Sequence, residues 1–70
     1  MHNIIATNKY NELLKQFPVL TENPNIEIVN ELRKKLGCGM YNARLLMQRS
    51  KTIQEAINLH YDIITKLTYI

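Results

Sequence analysis

Apolar residues recur at helical spacing along almost the whole chain, and this regularity most narrows what it can fold into. Tyr10, Leu13, Leu14 and Phe17 stand at i, i+3, i+4 and i+7, one stripe of a short helix. Thr7 or Asn8 can cap it and Pro18 closes it. A connector from Val19 to Asn25 leads to a second helix, with Asn23 as cap and Pro24 in the first turn. Ile28, Val29, Leu32 and Leu36 line that helix, and Gly37 stops it where a left-handed residue is wanted. After the Gly37-Cys38-Gly39 turn, a third helix runs from about Met40 to Arg49, with Met40, Ala43, Leu46 and Met47 on one face. Ser50-Lys51 breaks the pattern, and Thr52-Ile53-Gln54-Glu55 is a capping box for the last helix. Ile53, Ala56, Ile57, His60, Ile64 and Leu67 form its inner face. No strand pattern competes and no internal repeat is visible.

The expected fold is therefore all-α: a three-helix bundle over 25–70, preceded by an amphipathic helix and connector over 1–24. A chain of 70 residues buries only about 60% of its unfolded surface, so nearly every apolar residue is needed for the core. That leaves no room for a cofactor-sized cavity or a two-domain cleft, and no cofactor is expected. With 46% hydrophobic and 21% charged residues, the composition is that of a folded domain. The single cysteine, Cys38, cannot form an internal disulfide, which points to a cytoplasmic setting. No apolar run approaches a spanning helix, and Met1 to Asn8 lacks the basic start of a signal peptide, so no membrane association is expected.

Little in the chain suggests catalysis. Cys38 and His60 are the one nucleophile and base pairing to weigh. The helix start beside Cys38 can lower a thiol pKa. No second group is spaced to orient His60, however, and a packed histidine with a satisfied nitrogen is the simpler assignment. No cluster of metal-ligating residues occurs. The expectation is a protein that is not an enzyme.

Charge is unevenly placed. Lys9 and Lys15 balance Glu12 and Glu22, whereas Leu32 to Lys51 carries Arg33, Lys34, Lys35, Arg44, Arg49 and Lys51 with no acidic residue. This stretch suits an acidic protein surface or a phosphate backbone as well as it suits solvent. Two helices joined by a glycine turn also fit a DNA-reading helix-turn-helix loosely. Against that, Arg33 occupies the position four before the turn glycine, where a small residue is wanted.

The run Val29-Asn30-Glu31-Leu32-Arg33-Lys34-Lys35-Leu36-Gly37-Cys38-Gly39-Met40 resembles the opening of the amino-terminal module of elongation factor Ts. Asn42 stands where that family has aspartate, Ala43 at its cysteine and Arg44 at a lysine. Ile53, Glu55, Ala56 and Ile57 match its third helix, while Ser50-Lys51-Thr52 is one residue short in the loop. Leu45 replaces a family lysine, placing an apolar residue where the module is usually wet. The likeness covers Glu27 to Tyr61. It implies a ubiquitin-associated-like three-helix bundle that docks on a translation GTPase or another acidic host protein. The implied contacts are Arg33, Gly37, Gly39, Met40, Tyr41 and Arg44, with Lys34, Lys35, Arg49 and Lys51 available to an anionic partner. Leu32, Ala43 and Ile57 are the implied core, and both glycines are assigned to making the turn. The family's exchange domain has no counterpart here, so nucleotide exchange is not expected. The helical part of the ribosomal stalk protein's C-terminal domain is similar in outline from Gly37 to Leu46, but it needs strands.

The functional expectation is a small non-catalytic binding module, with a basic nucleic-acid-binding or transcription-regulating protein as the alternative. Small size and abundant Asn, Ile, Lys and Tyr fit a phage or mobile-element protein that engages host machinery. The first helix either extends the core or mediates a homodimer.

Overall fold

The structure, a computed structural model, describes the backbone of residues 2–68 and the side chains of residues 9–68. Those residues form four helices and no strand: α1 (His2–Lys15), α2 (Ile26–Leu36), α3 (Met40–Gln48) and α4 (Ile53–Thr68). The all-helical expectation holds.

Several element ends differ from the sequence expectation. The backbone of α1 is already helical before Thr7 and Asn8, so neither is its cap. A cap preference is worth only about 1 kcal/mol, which extra helical hydrogen bonds outweigh. Its last turn tightens through Gln16 N–H to Leu13 O (3.2 Å) and Phe17 N–H to Leu14 O (3.1 Å). Pro18 then bars continuation, because it lacks an N–H and crowds the residue before it. The cap of α2 is Asn25, not Asn23, and Pro24 lies outside the helix. The Asn25 Oδ1 accepts from the Glu27 amide (2.8 Å) and the Ile28 amide (3.4 Å), reaching the free N–H groups of the first turn. Helix α3 ends one residue earlier than expected, with Arg49 as its C-cap. Before α4, the Thr52 hydroxyl accepts from the Glu55 amide (3.1 Å) as the capping box requires. The Glu55 carboxylate, however, accepts from the Lys51 amide (2.9 Å) rather than from that of Thr52.

One core spans all four helices. Tyr10 and Leu14 of α1 share it with Val29, Leu32, Ala43, Leu45, Leu46, Met47, Ala56 and Ile63. Leu13, Phe17 and Leu59 pack against its edge. The core therefore crosses residue 24, and the α1 stripe is used within the chain. Three residues assigned to inner faces are exposed: Ile28 (38%), Met40 (40%) and Ile64 (39%). In α4 the fully buried positions are Ala56 and Ile63, because α1, α2 and α3 all pack on this helix and turn its inner face away from Ile64. Leu45 is buried because α1 also covers α3.

The connector after α1 is fastened to the end of α3. The Leu20 and Thr21 amides donate to Gln48 O (2.7 and 3.0 Å), and Gln48 Nε2 donates to Glu22 O (2.9 Å). Arg49 Nε reaches Phe17 O (3.2 Å) while its Nη1 donates to Leu45 O (3.0 Å). The hydroxyl of buried Ser50 donates to Leu46 O (2.8 Å). Orphan carbonyls at a helix end thus receive donors from the connecting chain.

Helix α1 is also tied to α4 by a polar bond. Tyr10 Oη and His60 Nδ1 lie 2.7 Å apart, with the rings tilted at 5.6 Å. Burial lowers the His60 pKa. Burial, followed by a negative charge on Cys38, raises the Tyr10 pKa well beyond the usual phenol range. The neutral ring and the neutral phenol are therefore the forms that share this hydrogen bond, with the ring's tautomer setting which of the two donates.

Because the folded His60 pKa is depressed, folding favours the neutral ring. Its stabilisation is present above the ordinary histidine pKa of about 6.5 and is lost as pH falls through the lower folded value. Urea midpoints are expected to fall on acidification below about pH 6.5. Tyr10→Phe is expected to cost about 1 kcal/mol in urea unfolding at pH 8, because it removes the bond to His60 Nδ1.

Candidate docking surface

The turn after α2 begins with a left-handed residue. Gly37 has φ 68° and ψ 25°, and its amide donates to Arg33 O (2.8 Å). A side chain there is strained by its Cβ even though the surrounding space is open. Gly39 differs: its φ of −78° suits any residue, and no atom lies near a Cβ built on it. The assignment of both glycines to turn geometry therefore holds only for Gly37. As N-cap of α3, Gly39 also supplies no side-chain acceptor to the free amides of the first turn.

The first turns of α2 and α3 enclose a groove of about 230 Å³ lined by Pro24, Ile26, Val29, Met40, Tyr41 and Arg44. Three expected contact residues, Met40, Tyr41 and Arg44, thus meet at one place. Tyr41 is 56% exposed, and Ile26, at 64%, is the most exposed large apolar residue described. Arg44 Nη2 donates to Asn23 Oδ1 (3.3 Å) across the groove's edge. Ile26 and Pro24 were missed in the sequence. The available signal was a large apolar residue at a helix start, off the stripe of Val29 and Leu32.

Other expected contacts fall outside the groove. Gly37 and Gly39 are exposed beside it in sequence but do not line it. Arg33 is half-buried and folded along α2, with Nε and Nη2 donating to Asn30 Oδ1 (3.1 and 3.0 Å). Lys35 lies 4.0 Å from Glu31, an exposed pair that contributes little. Lys34 and Lys51 are exposed. Arg49, expected as a contact for an anionic partner, is half-buried and donates to Phe17 O and Leu45 O. Its fixed fork of donors suits adjacent carbonyls of connector and helix.

Cys38 is half-buried, and burial pushes its thiol pKa up, against a smaller lowering by a backbone hydrogen bond and by Arg33. This is opposite to the shift expected from the helix start. His60 has its Nδ1 committed to Tyr10. Among the described residues, no group of three or more His, Cys, Asp and Glu could hold a metal ion, and no helix is long and apolar enough to cross a membrane.

No protein-family model, curated protein or solved structure matches the chain.

Two outcomes test this local chemistry. Gly37→Ala is expected to cost about 1 kcal/mol in urea unfolding, while Gly39→Ser is neutral or stabilising by a few tenths. Iodoacetamide is expected to alkylate native Cys38 more slowly at neutral pH than the urea-unfolded chain, as read by mass spectrometry.

Proposed function

We propose that this chain is a small non-catalytic protein-binding module whose α2, α3 and α4 form a ubiquitin-associated-like unit, with α1 added. It docks through the Gly37-Cys38-Gly39 turn and the start of α3. The supporting observation is the convergence of exposed Met40 and Tyr41 with Arg44 around the groove. Apolar anchors ringed by polar residues are the usual anatomy of a docking surface. Exposed Lys34, Lys35 and Lys51 belong to the same basic stretch of sequence, and Arg33, Gly37 and Gly39 complete the proposed contact set. The resemblance of Val29 to Met40 to the amino-terminal module of elongation factor Ts favours a translation GTPase as partner, ahead of another acidic host protein. Small size and residue usage support a phage or mobile-element origin, and the single cysteine, Cys38, supports a cytoplasmic site of action.

Affinity capture from the source cytosol, with and without nuclease, tests this reading. A protein partner is expected to survive nuclease and moderate salt. Tyr41→Ala or Met40→Asp is expected to weaken it by roughly thirtyfold, the scale of a buried anchor, while circular dichroism stays unchanged. A partner indifferent to both substitutions removes the surface assignment. Binding that disappears with nuclease and falls log-linearly with salt identifies a nucleic-acid-binding protein instead.

A further inference from the structure

We infer that the groove between the starts of α2 and α3 recognises a short acidic-hydrophobic segment of its partner, seating a large apolar side chain with a neighbouring Asp or Glu carboxylate on Arg44. This rests on the docking reading above and specifies what the surface selects.

The groove is walled by Pro24, Ile26, Val29, Met40 and Tyr41, so its interior rewards an apolar group. Its volume of about 230 Å³ falls below the range of roughly 300–1,000 Å³ typical of small-molecule sites, and is better suited to protein side chains. Ile26 and Met40 stand 64% and 40% exposed, although neither turn requires an apolar residue at its position.

Charge complementarity sets the second half of the recognition. Among the described residues Arg44 is the only charged one lining the groove, and no carboxylate of the described ion pairs engages it. Its one hydrogen bond, at 3.3 Å to an exposed Asn23, leaves most of the guanidinium's donors available. A carboxylate is the planar acceptor that this fork fits, and it can displace the asparagine. The surrounding stretch from Leu32 to Lys51 has six basic residues and no acidic one, so it repels a basic segment and attracts an acidic one. Glu22 and Glu27 do not line the groove. A nucleic-acid strand fits less well, because a phosphate backbone calls for a row of cations and the lining holds one.

Selection from a phage-displayed random dodecapeptide library tests this, with the full chain immobilised at a salt of ~0.15 M. Enriched peptides are expected to carry Leu, Ile, Phe or Met close to Asp or Glu. In fluorescence anisotropy, a synthetic winner is expected to lose roughly tenfold in affinity when its acidic residue becomes the amide, and similarly with Arg44→Glu. A lysine-swapped peptide is expected to recover binding to Arg44→Glu. The peptide-side change reads the carboxylate even if a protein variant folds poorly.

Peptides that need Met40 and Tyr41 but no carboxylate overturn this inference and leave the docking surface standing. Peptides indifferent to Met40→Asp and Tyr41→Ala remove both. Absence of any enrichment overturns the inference alone, since capture of a whole partner does not depend on short peptides. A labelled single-stranded oligonucleotide held through Arg44 in the same buffer overturns it in favour of nucleic acid. So does a dimer in analytical ultracentrifugation that Met40→Asp dissociates, which would make a second copy the occupant.

Discussion

Closure of the core by α1 is the constraint on which the other features depend. Helices of 11 and 9 residues, as α2 and α3 are, do not hold their shape alone in water. Their stability comes from a shared apolar interior, and in a chain this small the side chains of α1 are a substantial share of it. Leu14 enters it with no residual exposure, and Tyr10 with 5%. Tyr10 brings a hydroxyl with it, and burying that group is tolerable because it shares a hydrogen bond with His60. The same bond ties the first helix to the last and makes the attachment sensitive to the protonation of one ring.

The connector between α1 and α2 follows from that closure. Once α1 lies across α3 and α4, the chain must return past the C-terminal end of α3, whose carbonyls lack partners. Leu20, Thr21 and Arg49 supply them. The basic stretch is thereby divided. Arg49 and Arg33 serve the fold, while Lys34, Arg44 and Lys51 remain on the surface. With the interior filled, the proposed binding chemistry lies on the outside, where the first turns of two helices leave Ile26, Met40 and Tyr41 without neighbours to cover them.

Much of this was legible in the residues. The helical spacing, the stop at Gly37 and the Thr52 cap rest on interactions within a few positions, and local rules read them well. Of the six contacts named together, Met40, Tyr41 and Arg44 line one groove, whereas Arg33, Gly37 and Gly39 do not. The choice of Asn25 over Asn23 was not legible, because either carboxamide could cap and the difference lies in how the connector arrives. Nor was the exposure of Ile28, Met40 and Ile64. Periodicity marks a stripe, but the neighbouring helices decide which edge of that stripe they cover.

The sequence by itself determined an all-helical chain, its principal breaks and a basic middle segment free of acidic residues. These follow from backbone preference, hydrophobic spacing and charge counts, which act locally or in sum. Tertiary structure alone decided that α1 completes the same core as the other helices, that Arg49 is a strut, and that Pro24 and Ile26 join Met40, Tyr41 and Arg44 around one groove. Each of these depends on how rigid helices pack against one another. That choice is made by the side chains of all four at once, and no short stretch of sequence contains it.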